Sequence, residues 1–307
     1  MSQGLLYGAA PFIETPELPP GVKMLWHGAD GSLWDIGEPE GVYLLAGVRG
    51  LHLPPRTRWA SPQGSGSRYL GGRDEEREVF WPLSVRKASG GQGFLDFDAL
   101  WWESLSYDTP GTWEVVQPDG RRRLLDLRLT NGGEETAAQF PTLSGVRHYG
   151  VYLVATDPYW RSALPVSQPF MIGAASEDFI PPTGAPPFNI GQGTTTTTAE
   201  MANEGDVPAW VTWTVEAGTG GLTGVSVGVG DATIGLPNMT QGQVYVVDTV
   251  AETATLNGVR VRGVMSPHEF APLPPRSTTP LSITGTGNGK VTVAFTPRYY
   301  RAWGRGR

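Results

Sequence analysis

Gly224-Val225-Ser226-Val227-Gly228 matches the G-x-S-x-G pattern of a nucleophilic serine. Asp231 or Asp248, and then His268, follow in an order that a serine–carboxylate–histidine relay could use. Acyl-transfer chemistry of that kind needs the serine on a sharp, strained turn between a strand and a helix, so that its hydroxyl is thrust out of the sheet. Here Ser226 sits inside a period-two run, Val225-x-Val227-x-Val229, with no helical pattern after it. The match is read as strand, and Ser226 is not assigned a catalytic role.

Other chemistry-bearing patterns are incomplete. Gly285 through Lys290 has the look of a phosphate loop, but Thr284 stands where the first glycine is required and Val291 where Ser or Thr should follow the lysine. It is read as a hairpin tip. The four histidines, His27, His52, His148 and His268, show no ligand spacing with one another or with carboxylates. Among 30 acidic residues nothing singles out one pair for glycoside hydrolysis. Cysteine is absent, which removes disulfides, thiolate metal sites and thiol nucleophiles together. The expectation is a chain without catalytic residues, cofactor or metal.

A net charge of −7 gives no basic footprint for nucleic acid. The first positive side chain is Lys23, and Leu5-Leu6 is too short for the apolar core of a secretory leader. No uncharged apolar run approaches the ~20 residues of a membrane helix. A soluble protein folding in a reducing cytosol is expected, with no membrane insertion.

Glycine (42) and proline (27) are abundant and only 17% of residues are charged, a balance that favours short strands joined by many turns. At 307 residues two domains of ordinary size are expected. Residues 1–163 form the first and 188–307 the second, with a proline-rich connection over 164–187. Prolines make the opening twenty residues an extended arm. Ala29-Asp30-Gly31 and Pro118-Asp119-Gly120 are hairpin turns between strand patterns, and Asn257-Gly258 is a type I′ turn signal. Gly47 and Gly50 mark a bulge or a close backbone approach. Residues 60–72, rich in Ser and Gly, read as a loop. Phe94, Phe97, Trp101 and Leu105 recur at helical spacing, so one helix is expected near 94–106, with Asp96 and Asp98 favouring its first turn.

The second half reads as strands alone. Thr194–Thr198 is expected as a polar-faced strand. Ala209–Glu216 alternates, with Val211, Trp213 and Val215 on one face and Trp210, Thr212 and Thr214 on the other. Separate strands are expected at Val225–Val229, Leu281–Ile283 and Val291–Phe295. Eleven tryptophans raise the possibility of sugar stacking, but large aromatics dominate cores and interfaces. Trp210, opposite the apolar face, is the ring best placed to stack on a sugar.

Three further groups bear on assembly. Arg73-Asp74-Glu75-Glu76-Arg77-Glu78 is the densest charge run; it reads as a solvated strand entry or as an interface to a neighbouring subunit. Arg121-Arg122-Arg123 reads as a charged strand start rather than an anion site. Asp157-Pro158-Tyr159-Trp160 closes a strand pattern, because proline removes a ladder donor and the aromatics can pin the exit.

Several of these stretches recur together. Leu33-Trp34-Asp35, Gly47-Val48-Arg49-Gly50-Leu51, Arg77 to Leu83, Asp157-Pro158-Tyr159-Trp160, Gly205 to Trp210 and Pro297 to Trp303 follow in an order that resembles the distal tail proteins of long-tailed, non-contractile phages. Those of actinobacterial hosts, often labelled minor tail proteins, are the nearest in pattern. The resemblance implies an all-β fold of two domains. The first is a β-sandwich or split barrel that forms a ring and carries the helix; the second is a galectin-like β-sandwich.

It also implies a structural virion protein, made in the host cytoplasm, at the distal tail tip. Six copies would form a ring joining the tail tube protein to the tail-tip hub protein, with the tape-measure protein nearby. DNA would pass through the lumen without specific binding, helped if six times the −7 charge lines it. Arg49, Arg73, Glu75 and Arg77 are then possible subunit-interface residues, and Asp157, Pro158, Tyr159 and Trp160 the domain junction. The alternative is a carbohydrate-binding adsorption protein using the second sandwich and Trp210.

Overall fold

The computed structural model describes residues 21–38, 41–63, 65–88, 90–136, 144–173, 188–190 and 199–304. The opening arm and Thr194–Thr198 lie outside these residues. The chain is all-β with one α-helix among the described residues, and it divides into two compact units. The first holds residues 1–163 and 300–307; the second holds Leu164–Tyr299.

In the first unit β1 (Lys23–His27) and β2 (Leu33–Asp35) form a hairpin around Asp30, whose carboxylate accepts hydrogen bonds from the Ser32 amide and hydroxyl. Gly31 takes φ +86°, which only glycine adopts without cost. Next come β3 (Val42–Leu44), the hairpin β4 (Arg56–Gln63) and β5 (Gly66–Asp74), then β6 (Arg77–Arg86) and α1 (Gly91–Glu103). The unit is completed by β7 (Gly111–Val116), β8 (Arg122–Thr136), β9 (Val146–Ala155) and the short β10 (Trp160–Ser162). Pairing runs β2-β1-β7-β8-β9-β6-β3, antiparallel at every step. The Leu44 amide donates to the Ile36 carbonyl, 2.9 Å, so β3 returns beside the residue that follows β2 and the sheet nearly closes on itself.

Tryptophan fills this unit. Trp26, Trp81, Trp113 and Trp160 meet in a row with centroids 5.1–5.2 Å apart, and all four are buried. A second group sets Trp34 edge-on to Trp101 and Phe97 of α1. The helix covers Gly91–Glu103 rather than 94–106. It enters through Gly90 and Gly91, both at positive φ, and stops where the Ser104 hydroxyl donates back to the Trp101 carbonyl and accepts from Trp26 Nε1. Asp96 therefore lies beyond the first turn, which contains no acidic residue. Phe94 and Trp101 are its buried positions, and Leu105 follows in the core just past its end.

The second unit begins earlier than the sequence implies. Residues expected as a connection contain β11 (Val166–Ile172), which pairs along the strand that ends at Phe295. After β12 (Phe188–Ile190) and β13 (Ala199–Asn203) comes β14 (Thr212–Val229), then β15 (Ala232–Gly235), β16 (Val244–Asp248), β17 (Thr253–Leu256) and β18 (Val259–Val261). The long β19 (Ser277–Phe295) follows, and the two-residue β20 (Arg298–Tyr299) ends the series. Asn257 and Gly258, both at positive φ, make the two-residue turn between β17 and β18.

β14 and β19 pair along most of their lengths and organise the unit. The 18 residues of β14 would span roughly 60 Å if straight, far more than the diameter of a domain this size. They bend instead. Register shifts fall between Ala217 and Leu222 and between Thr223 and Ser226, opposite the glycine-rich centre of β19. The bend lets both halves of the folded sheet share one core: Trp213, Val215 and Val293 from one end, Val225, Val227 and Ile283 from the other. The hairpin expected at Gly285–Gly289 and the break expected before Val225 are thus bends inside two continuous strands. Glycine is needed there because a Cβ at Gly287 would run into the Gly221 carbonyl, and one at Gly289 would meet the Glu216 carbonyl and the Leu222 side chain.

Candidate functional site

The residues singled out for chemistry are scattered. Ser226 lies in mid-strand, paired across β15 with Gly235 and across β19 with Thr284, and no strand-to-helix elbow surrounds it. His268 is exposed, bridging Ile234. His27 Nε2 lies 2.6 Å from Glu114 Oε2, and the His52 ring stands edge-on to Trp303. Lys290, at the end of the glycine-rich stretch, pairs with Glu216 across the strands. Trp210 is 37% exposed in the second unit, consistent with its alternation.

The densest polar construction is in the first unit, around Arg77. Its side chain is 1% exposed, although the charge run made it a candidate for a subunit surface. β6 begins at Arg77 and pairs it with Ala155 of β9, so its side chain points inward while Glu78 points out. Nε donates to the Pro158 carbonyl (2.6 Å), one Nη to the carbonyls of Gly50 (2.8 Å) and His52, and the other to the Tyr300 carbonyl (2.9 Å). Arg77 therefore holds the chain together internally and is unavailable to a partner.

Burial pushes this guanidinium down to about 10, against the opposing pull of the Asp157 and Asp74 carboxylates. It remains charged at neutral pH. Its donors are satisfied by carbonyl dipoles rather than by a direct carboxylate, an arrangement that leaves four acceptors exposed to desolvation if the side chain is removed. Gly50 contributes through its own geometry. At φ +101° its carbonyl turns to Arg77, and a Cβ would strike the Val79 side chain.

Of the four residues expected at a domain junction, Pro158 bonds this arginine and Asp157 and Tyr159 lie within its electrostatic reach. Pro158 is buried and supplies a carbonyl; the Tyr159 amide caps back to Asp157 Oδ1; the Tyr159 hydroxyl donates to Asp74 Oδ2 (2.8 Å). Trp160 is fully buried at the end of the tryptophan row against Trp113. A Trp160→Ala change is accordingly expected to act first on the stability of the first unit.

What the sequence reading missed is the return of the chain. Residues 300–304 belong to the first unit. Arg123, 6% exposed, donates to the Arg301 carbonyl (2.7 Å), and Arg121 donates to the Gly304 carbonyl (2.9 Å). The Ala302 amide donates to the Leu51 carbonyl, and Gln117 Oε1 accepts from the Gly304 amide. The triplet taken as a charged strand start is therefore a clamp with alternating duties. Arg121 and Arg123 grip the returning chain, while Arg122 pairs with the buried Glu114 carboxylate. Burial alone would raise that carboxyl; hydrogen bonds from Arg122 and His27 outweigh it and hold Glu114 below the ordinary carboxylate range.

Arg49, Arg73 and Glu75 fall elsewhere. Arg49 is exposed and lies over the Phe80 ring at 5.6 Å. Arg73 and Glu75 line a cleft of about 840 Å³ with Glu76, Glu78, Asn131 and Tyr152. The cleft opens at the foot of the β4–β5 hairpin, which occupies most of the stretch expected as a loop at 60–72. A Ser/Gly-rich sequence can pair as strands when its ends are held, and Arg56–Asp74 pairing holds them.

No family model matches the sequence, and no curated protein does. Solved structures do match its fold. The SPP1 Dit protein, a paradigm of the hub adsorption apparatus in phages infecting Gram-positive bacteria, aligns with a TM-score of 0.63. The alignment covers 90% of this chain and 98% of that one at 14% identity. This is the Dit fold. A chain of the phage P2 baseplate in its activated conformation with Ca gives a TM-score of 0.50 at 11% identity, covering 90% and 98% of the two chains. The same baseplate with Sr gives 0.49 at 11% identity over 90% and 97%. With identities this low, what is shared with the Dit protein is backbone architecture, and it extends over both units.

Proposed function

We propose that this chain is a structural virion protein of a long, non-contractile phage tail, placed at the distal end of the tail tube. Copies of it form a ring, hexameric in this reading, that joins the tail tube protein to the tail-tip hub and the adsorption apparatus. The tape-measure protein ends nearby, and the genome crosses the lumen without specific binding. The carrying observation is the likeness to the SPP1 Dit protein across 90% of the chain, spanning both units rather than one common module.

The geometry is in keeping with a scaffold role. The most elaborate polar network, around Arg77, is committed to backbone carbonyls, so it fixes chain path rather than a reacting group. In this reading the chain has no catalytic activity. Antibody-gold labelling of intact particles tests the placement: label at the distal end of the tube supports it, and label along the tube or on the head contradicts it. The second reading, carbohydrate binding, has one observation in its favour, the exposed Trp210 ring. Glycan binding by the full chain that is lost in Trp210→Ala would favour it.

A further inference from the structure

The first unit is assembled from two stretches that are made at different times. Residues 1–163 supply all its described strands and its helix, and the segment Tyr300–Gly304 joins them only after the whole of the second unit, Leu164–Tyr299. That segment has no strand or helix of its own, yet it is held through its backbone. The carbonyls of Tyr300, Arg301 and Gly304 accept from Arg77 (2.9 Å), Arg123 (2.7 Å) and Arg121 (2.9 Å). The Ala302 amide donates to the Leu51 carbonyl (2.9 Å), and the Gly304 amide to Gln117 Oε1 (3.2 Å). These partners lie at least 178 residues away along the chain, so no local preference brings the segment to them.

The contact has the character of peptide capture, with backbone groups gripped and a few side chains adding fit. Ala302 is fully buried, and the Trp303 ring stands edge-on to His52 at 5.7 Å. Gly304 passes so close that a Cβ there would stand 3.1 Å from Arg123 Nη2. On the receiving side Arg77 and Arg123 are both buried. A buried guanidinium short of acceptors is costly, so the finished packing of the first unit is unfavourable until the segment arrives.

Timing makes this matter. At about 5–20 residues per second, synthesis of the second unit takes on the order of ten seconds. A small domain that is complete in itself folds in microseconds to seconds. A self-sufficient first unit would therefore mature long before the chain was finished.

We propose that Tyr300–Gly304 is a strap that completes the first unit only after the second has been made, and that residues 1–163 present a receptor for it, built on Arg77, Arg121, Arg123, Gln117 and Leu51. The surfaces of the first unit then mature only on chains that already carry the second. This goes beyond the ring reading and does not rest on it: the gold label decides the ring, and the strap is decided by folding order.

The test is synchronised cell-free synthesis of the full chain, sampled over time and pulsed with protease. The first unit should become resistant only in chains that have extended past Gly304. A synthetic peptide of residues 298–304, Arg-Tyr-Tyr-Arg-Ala-Trp-Gly, present in excess from the start, should bring that resistance forward to chains still making the second unit. Early resistance without the peptide would overturn the proposal. So would late resistance that the peptide fails to advance, because the delay would then lie in the second unit itself.

Finished chains give an independent check. Ala302→Arg cannot seat its side chain where Ala302 is fully buried. It should speed cleavage of the first unit at least about tenfold, since cleavage follows the population of the open form. Cleavage of the second unit should not change, and the peptide should reverse the effect. An unchanged rate, loss of both units together, or no reversal by the peptide would overturn the strap as the completing element.

Discussion

The two units reach a packed core by different means. All but two of the 11 tryptophans, Trp210 and Trp213, belong to the first unit, where four stack in a row across a nearly closed sheet. The second unit is aliphatic, with Val, Ile and Leu from both ends of two bent strands meeting around Trp213. The first relies on a few large side chains and a clamp of arginines on carbonyls. The second relies on continuous backbone pairing and on glycines where that pairing bends. Damage to the first should therefore be concentrated at single side chains, and damage to the second at places where a side chain is added.

The largest effect should come from Trp113→Ala, which removes the ring touching both Trp81 and Trp160. A loss of about 3–5 kcal/mol is expected in denaturant unfolding followed by tryptophan fluorescence. A loss below 1 kcal/mol would remove the row from its place as the first unit's core. Arg77→Met should come next, at roughly 3 kcal/mol, because four carbonyls, that of Pro158 buried and the others partly so, lose a charged donor. Arg77→Lys should recover only part of this, since an ammonium lacks the planar fork. Equal stability of the Lys variant and the wild type would contradict the clamp.

In the second unit Gly287→Ala should cost about 1–3 kcal/mol through overpacking against Gly221, whereas Gly258→Ala in the exposed β17–β18 turn should cost less. The reverse order would mean that the paired bend does not organise the unit. The smallest effect is expected at Glu114. Its folded carboxyl is held below its unfolded value, so its stabilisation is present above the ordinary carboxylate range and is lost as pH falls through the folded value. Glu114→Gln should lower stability at pH 7 by about 1 kcal/mol and flatten the acid limb of the stability–pH curve. An unchanged acid limb would deny the pairing with Arg122 and His27.

The same contrast explains what the sequence made legible. Turns with a short-range cause were readable: Ala29-Asp30-Gly31, Pro118-Asp119-Gly120 and Asn257-Gly258 each close a hairpin between the strands expected on either side. The burial alternation of Val211, Trp213 and Val215 was readable for the same reason. Glycines with a long-range cause were not. Gly285–Gly289 has the composition of a hairpin tip, but its glycines make room for a partner strand that arrives from more than sixty residues away in the chain.

The candidate site divides in the same manner. The junction at Asp157–Trp160 carries a visible strand stop. That Arg77 reaches inward depends on the pairing register of β6 with β9, and a charge run looks alike from either side of that register. The return of residues 300–304 to the first unit has no local signal at all beyond its aromatic and arginine content.

The most direct test of the account is a cryo-electron reconstruction of the tail tip of intact particles. The account predicts a ring of copies of this chain at the distal end of the tube, between the tube and the hub. A reconstruction in which that ring is built from another chain, with this one absent from the tip, would contradict it.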